Sequence, residues 1–428
     1  MATKGIREYD AKRMLARFLP EYSSSVSYEG KVAMVDPTTD FKDLVNAHPW
    51  IENQKLVVKP DQLFGKRGKN NLLLIDASFK EAQKWIKERM NKEVTIEQTT
   101  GKTKGVLTHF LIEPMVPHKD EFYVAIRSSR TGDTIYFSME GGVNVEENWN
   151  KVKEINIPIG KTINDIDIKG QLPSDLGTNL APVADFVSAL HRIYERLHFT
   201  YLEINPFTVV NNNIIPLDTV GKIDDTASFE ARSDWGNIDF PASFGMESRP
   251  EEQVIKELDE KSGSSLKLTI LNPEGRVWLM VAGGGASVIY TDTVVDLKQM
   301  KELANYGEYS GNPKTDETQV YAETILDLMT RNKHPEGKAL LIGGGIANFT
   351  DVAKTFTGII NSLKKYKQKL IDNKVKIFVR RGGPNYQEGL QMMERLGDEL
   401  GLPIQVFGPE THMTKIVPLA IEALGLNK

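Results

Sequence analysis

Apolar residues recur at helical spacing from Asp10 to Phe18 and from Phe79 to Met90, which predicts two amphipathic helices. Val183 to Leu197 carries the same period and leads into Tyr201-Leu-Glu-Ile-Asn-Pro206, which reads as a strand. Between them lie short runs of strand formers: Leu56-Val-Val-Lys-Pro60, Leu72 to Ile75, Leu107 to Pro114 and Phe122 to Arg127. Tyr123 to Phe137 reads as a hairpin turning at Arg130-Thr-Gly-Asp133, and Asn211-Asn-Asn213 as a tight turn into Ile214-Ile215. No regular βαβ beat runs through this half. Mixed strands that end in convergent charged residues suggest an α+β domain that clasps a nucleotide.

The rhythm changes after Arg232 to Glu252, a stretch rich in Pro, Gly, Ser and charge that reads as a linker. Leu266 to Ile270 and Val277 to Val281 flank an Asn-Pro-Glu-Gly turn, and Leu340-Leu-Ile342, Val375 to Val379 and Ile404 to Phe407 each precede a helical segment. Short buried strands alternating with helices predict an α/β, doubly wound parallel sheet with ligands at the carboxyl ends of its strands. The expected domains are residues 1–245 and 246–428.

A length of 428 residues accommodates such a division. The net charge of −5 gives no electrostatic reason to expect nucleic acid or an anionic membrane as a partner. With no cysteine, disulfides, thiolate nucleophiles and thiolate metal sites are excluded. Met1-Ala-Thr-Lys-Gly-Ile6 lacks the basic-then-apolar stretch of a signal peptide. The longest apolar stretch, Val277 to Tyr290, is broken by Gly283-Gly-Gly285 and too short to span a bilayer. A soluble, cytoplasmic protein is expected.

The strongest chemical signal pairs Asn205 with Asp218, an amide oxygen and a carboxylate that adjacent strands bring to one point. Hard oxygen ligands of this kind suit Mg²⁺ that is also held by nucleotide phosphates. Glu203 shares a face with Asn205 by strand alternation. Upstream, Lys59 ends a strand and Gly65-Lys-Arg-Gly-Lys69 forms a mobile basic loop, a combination that neutralises phosphate charge. Alone, those cations are equally solvated charges near a turn. Phe110 to Val116 runs from a strand into a Pro-constrained stretch that would offer adenine a hinge, with Glu121 in reach of ribose hydroxyls. Alone, it is an ordinary core strand.

In the second half, three strand-end turns are glycine-rich: Ala282 to Ser287, Gly343 to Thr350 and Arg380 to Asn385. Glycines there permit close backbone approach, and helix N-termini favour anions. Arg381 adds carboxylate recognition. None is a G-x-G-x-x-G fingerprint, so a polycarboxylate site is favoured over a dinucleotide site. None of the seven histidines sits in a glycine-rich turn suited to transient phosphorylation. Lys364, Lys365, Lys367 and Lys369 read as a solvated helix face.

Longer segments resemble one family. They are His48-Pro-Trp50, Val57 to Gln62, Phe110 to Pro114, Glu140 to Val143, Phe199 to Pro206, Lys261 to Gly263, Met280 to Ser287, Glu302 to Gly311, Ile346 to Thr350 and Phe378 to Gly389. Together the whole chain is similar to the synthetase portion of ATP-citrate lyases: the N-terminal part of the animal enzyme, the separate small subunit of plant and bacterial ones, and the large subunit of citryl-CoA synthetase. The resemblance implies an ATP-grasp domain followed by a flavodoxin-like CoA-ligase domain. It implies that Lys59, Arg67 and Gly68 hold phosphates, that Pro114, Val116 and Glu121 hold adenosine, and that Asn205 and Asp218 hold Mg²⁺. Citrate would touch Gly311, Asn348, Thr350, Tyr366 and Arg381, and a further cation would lie around Asp259, Ser262 and Ser264. Two departures, Val220-Gly221 in place of two alanines and Gly65-Lys66 in place of a more basic pair, touch no proposed ligand.

The implied function is formation of citryl-CoA from citrate, ATP and CoA as co-substrate. The phosphohistidine and most of the CoA site would lie on a partner, an α-type subunit with or without a lyase module, in a hetero-oligomer. A succinyl-CoA synthetase-type β subunit acting on another dicarboxylate, and a nucleotide-sensing module without turnover, are the alternatives.

Overall fold

The computed structural model describes residues 3–98, 101–142, 145, 149–246 and 249–426. Val143 of the Glu140 to Val143 segment, and Glu247 and Ser248 of the expected linker, lie outside them. The chain forms two compact units, Met1–Glu247 and Ser248–Lys428.

The first unit is built on an antiparallel sheet in the order Thr3–Ile6, Thr219–Asp224, Phe199–Val210, Phe122–Ser129, Gly132–Ser138 and Lys153–Pro158, with Asn213–Pro216 also paired to Phe199–Val210. Helices Glu8–Tyr22 and Leu180–Arg196 pack on it. The latter buries Val183, Phe186, Val187, Leu190 and Ile193 at helical spacing, each worth about 1.5–3 kcal/mol relative to exposure. A second antiparallel sheet runs Ala33–Val35, Phe110–Pro114, Leu56–Pro60 and Leu74–Ala77. It packs on helix Phe79–Arg89, whose N-terminus is fixed by a reciprocal Ser78–Glu81 capping box. The run Leu107 to Pro114 is divided: Leu107 ends the strand Gly101–Leu107, and a new strand begins at Phe110.

The expected linker is no loose tether. Helix Ser228–Trp235 buries Trp235, whose Nε1 donates to the Leu197 carbonyl at 2.9 Å. Phe244 is buried against Phe64, and Asp239 pairs with Arg7 at 3.1 Å. Pro, Gly and Ser correctly marked irregular backbone there, while two aromatic anchors fasten it to the first unit.

The second unit is a six-stranded sheet in the order Ser265–Ile270, Asn305–Ser310, Val277–Ala282, Ala339–Gly344, Lys376–Arg380 and Ile404–Phe407. The last five strands are parallel, and Ser265–Ile270 is an antiparallel edge. Successive residues of the central strands feed two separate cores: Trp278, Met280, Leu340 and Ile342 one face, Val277, Leu279, Val281 and Leu341 the other. Burial on both faces explains why these strands read as continuous apolar runs. Asn305–Ser310 lies between Ser265–Ile270 and Val277–Ala282, so the Asn-Pro-Glu-Gly turn joins strands that are not neighbours. Among the described residues, no helix is long and apolar enough to cross a membrane.

Candidate functional site

A cleft of 1340 Å³ opens in the first unit. Lys59, Arg67, Gly68, Pro114, Val116, Glu121, Asn205 and Asp218 all line it, together with Tyr28, Glu113, His118 and Glu203. Lys59 sits on Leu56–Pro60, with the Pro-constrained segment emerging from the adjacent strand Phe110–Pro114. Asn205 belongs to the long strand Phe199–Val210, at a register shift between Ile204 and Phe207 in its pairing with Phe122–Ser129. The Asn205 N–H donates to the Asp218 carbonyl at 2.9 Å, which fixes the two residues side by side at the start of the Thr219–Asp224 ladder.

The electrostatics of this cleft centre on Glu8, which the sequence reading passed over. Its fully buried carboxylate meets Lys12 at 2.7 Å, Lys59 at 2.8 Å and Arg67 at 3.0 Å. Burial pushes the Glu8 carboxyl up, but these three cations outweigh it and hold it well below the usual carboxylate range. Glu113 adds contacts to Lys12 at 2.6 Å and Lys59 at 3.1 Å. Arg67 Nη1 also donates to Asp218 Oδ1 at 2.8 Å, while its Nε is buried without a partner. Arg67 thus stands at the cleft wall with a donor in hand, whereas the Lys59 ammonium spends its three N–H groups on Glu8, Glu113 and the Leu217 carbonyl.

Behind them, Asp61 accepts the N–H groups of Glu8 and Tyr9 at 2.8 and 3.0 Å, anchoring the first turn of helix Glu8–Tyr22. Burial, reinforced by the Glu8 charge, raises its carboxyl to about 6.

Asn205 Oδ1 accepts the Gly142 N–H at 2.7 Å and keeps a second lone pair. Asp218 keeps Oδ2 beyond its contact with Arg67. One amide oxygen and one carboxylate fit magnesium, which retains waters and takes most of its remaining ligands from phosphates. Glu203 is engaged by the Tyr201 hydroxyl. At the Pro-constrained end, His118 bridges the Val116 carbonyl at 2.8 Å and Glu121 at 3.1 Å, so the two residues expected at adenosine are joined through an imidazole. Burial lowers the His118 imidazole, but the Val116 carbonyl and Glu121 outweigh it and raise it above its ordinary value.

In the second unit, the turns after Ala339–Gly344 and Lys376–Arg380 are stitched together. The Ala347 N–H donates to the Gly382 carbonyl at 2.9 Å, and Asn385 Nδ2 to Asp351 at 2.9 Å. This brings Asn348 and Thr350 to the same sheet edge as Arg381. Two arginines stand there with different duties. Arg380 spends its nitrogens on the carbonyls of Thr411, Gly344 and Pro409. Arg381 is buried, donates to the Gly345 carbonyl at 3.1 Å and leaves Nε without a partner, an unspent donor suited to a carboxylate. Gly311, at φ +76°, follows the strand Asn305–Ser310, which Val277–Ala282 separates from Ala339–Gly344, and a Cβ there would stand 3.3 Å from the Ser264 backbone.

Two expected groupings do not assemble. Tyr366 lies fourteen residues into the unbroken helix Val352–Asp372, about 21 Å along its axis from Val352 at 1.5 Å per residue. Its charged surroundings are Asp327, Lys365, Glu323 and Arg331, so it is not part of the Asn348, Thr350 and Arg381 cluster. Ser262 and Ser264 do meet, at 3.1 Å. Both Asp259 oxygens, however, are occupied, one by the Leu266 N–H and the other by Lys267. That set fastens a helix to a strand, and the Lys267 ammonium already supplies a positive charge beside Asp259. On the helix Val352–Asp372, Lys364, Lys365 and Lys369 pair with Glu399, Glu323 and Asp327 at the surface.

Comparison with known proteins follows the same division. Residues 2–235 match the family model for the ATP-citrate synthase ATP-grasp domain, and residues 246–423 that for ATP citrate lyase citrate-binding. The chain belongs to the ATP-citrate lyase family. It is 48% identical over 423 residues to ATP-citrate synthase alpha chain protein 2 of Arabidopsis thaliana, which it matches over 99% of both chains. It is 49% identical over 427 residues to the ATP-citrate synthase of Homo sapiens, yet spans only 38% of that protein's length. The ATP citrate lyase from Methanothrix soehngenii, solved in complex with citrate and coenzyme A, superposes with a TM-score of 0.90 at 55% identity, covering 98% of this chain and 100% of that one. Within this family the architecture is an ATP-grasp domain followed by a doubly wound α/β domain.

Proposed function

We propose that this chain binds magnesium-ATP in its first unit and citrate in its second, and that with a partner chain it makes citryl-CoA. The observation that carries the reading is the cleft wall on which Lys59, Arg67, Asn205 and Asp218 converge. In this reading Lys59, Arg67 and Gly68 take the phosphates, Pro114, Val116 and Glu121 the adenosine, and Gly311, Asn348, Thr350 and Arg381 the citrate. Magnesium held by Asn205 and Asp218 would neutralise phosphate charge as it develops.

A carboxylate is a poor acyl donor at neutral pH. In the proposed sequence the γ-phosphoryl group of ATP passes to a histidine nitrogen and then to a citrate carboxylate oxygen, giving an acyl phosphate. The thiolate of CoA attacks the acyl carbon and inorganic phosphate leaves. This chain's contribution is positioning and charge neutralisation, which dominate phosphoryl transfer. The histidine and most of the CoA site belong to the partner, with or without a lyase module, in a hetero-oligomer. That assignment fits a chain spanning 38% of its animal relative. A dicarboxylate ligase of the succinate type is disfavoured by the match of residues 246–423 to a citrate-binding model.

The test is reconstitution. With ATP, citrate and CoA, the chain alone should make no citryl-CoA and take up no acid-labile phosphate. Adding the partner should start synthesis and place the phosphate on the partner. Citryl-CoA from this chain alone, or succinate replacing citrate at equal rate, would refute the reading.

A further inference from the structure

Lys12 is fully buried one turn along helix Glu8–Tyr22, and neither it nor Glu8 reaches the lining of the nucleotide cleft. Its Nζ lies 2.7 Å from Glu8 and 2.6 Å from Glu113, and donates to the Leu217 carbonyl at 3.3 Å. The same two carboxylates hold Lys59, and Glu8 holds Arg67. Burial lowers the Lys12 ammonium, but Glu113 and Glu8 outweigh it and keep it firmly protonated.

A Glu–Lys pair at i and i+4 is ordinarily a solvated surface feature worth a few tenths of a kcal/mol. Here both side chains are at most 1% exposed. At that depth desolvation offsets the Coulombic gain, and apolar residues of similar size would stabilise the fold as well or better. Stability alone therefore does not explain the pair.

We propose that Lys12 is a positioning residue for nucleotide binding, occupying Glu8 and Glu113 so that Lys59 and Arg67 keep positive charge for a polyphosphate. The inference rests on the reading of this cleft as the ATP site. Glu8 and Glu113 carry two negative charges, and Lys59 and Arg67 two positive ones. Without a third cation these four cancel, and phosphate is left with the loop lysines Lys66 and Lys69 alone. With Lys12 these contacting side chains keep one excess positive charge, in a partly dehydrated wall where charge is felt strongly, while Asp61 behind them spends its carboxylate on the Glu8 and Tyr9 N–H groups. Asp218 is counted with the metal it would hold. Through the Leu217 carbonyl, Lys12 also ties the peptide that precedes Asp218 to the same cluster.

The experiment titrates the full chain with magnesium-ATP and, separately, with adenosine, by calorimetry. Lys12→Met should weaken magnesium-ATP at least tenfold and leave adenosine within twofold, because adenosine never meets the phosphate wall. The double variant Lys12→Met with Glu8→Gln restores the excess charge and should recover ATP affinity to within threefold of wild type. If the single variant does not fold, the double variant carries the test alone, and a loss beyond tenfold in it overturns the proposal. Unchanged ATP affinity in Lys12→Met, or equal weakening of ATP and adenosine, overturns it as well. A wild-type chain that binds no magnesium-ATP overturns the functional reading, and this inference with it.

Discussion

Arg67 Nη1 donates to Asp218 Oδ1 at 2.8 Å, so the cation proposed for phosphate and the carboxylate proposed for metal begin as each other's partner. Arg67 is buried while the Asp218 side chain is 38% exposed, so the pair sits at the cleft surface, where part of its attraction is screened. A magnesium-polyphosphate ligand brings a partner for each, and Arg67 retains Glu8 while the exchange takes place. Neither charge need be left alone.

Asp218→Asn follows from that exchange. The amide keeps the shape and removes the charge, so magnesium-ATP should bind at least tenfold more weakly, about 1.4 kcal/mol. Metal-free ATP should bind no more weakly than to wild type, because Arg67 is released. Calorimetric titration with and without magnesium separates the two.

Arg381→Ala should raise the citrate KM of the reconstituted enzyme at least tenfold and leave the ATP KM within twofold. The guanidinium is buried with Nε unpartnered beside the Asn348 and Thr350 turn, and a charged hydrogen bond is worth about 1.5–3 kcal/mol. Steady-state kinetics varying one substrate at a time reads both numbers.

Tyr366→Phe should leave the citrate KM within twofold of wild type, since an unbroken helix carries that ring away from the Arg381 turn. A large change confined to citrate would return Tyr366 to the site.

Much of this arrangement was legible in the sequence, and the rest was hidden for identifiable reasons. Lys59, Arg67, Asn205 and Asp218 announced themselves through residue type at strand ends and in a glycine loop, and all four line one cleft. Glu8 and Lys12 did not. The helix was read from Asp10, two residues late, and an i, i+4 charge pair carries no sign of whether it faces water or core. Asn305–Ser310 was missed as a strand although Asn305, Gly307 and Tyr309 are buried in strict alternation. Two of those three are not apolar, so the pattern was invisible to a count of hydrophobic residues. Tyr366 was carried over by resemblance, which transfers residue identity without the geometry of the helix between.

Asp61 sets a pH dependence with a definite sign. Its folded-state value of about 6 lies above its unfolded value near 3.8, so between those limits the folded chain holds a proton the unfolded chain has lost. Its contribution to stability therefore falls as pH rises from about 4 to about 6 and is level above that window. Two pH units correspond to about 3 kcal/mol at most. The difference in unfolding free energy between wild type and Asp61→Asn, measured in denaturant at pH 4, 5, 6 and 7, should decline over the first three points and then flatten.

The most direct measurement is the crystal structure of the chain soaked with ADP and Mn²⁺ in place of magnesium, with the metal located by its anomalous scattering. The peak should lie within bonding distance of Asn205 Oδ1 and the Asp218 carboxylate, with the diphosphate at Lys59 and Arg67 and the adenine beside Val116. A nucleotide lodged elsewhere, or bound in the cleft with no metal at Asn205 and Asp218, would contradict it.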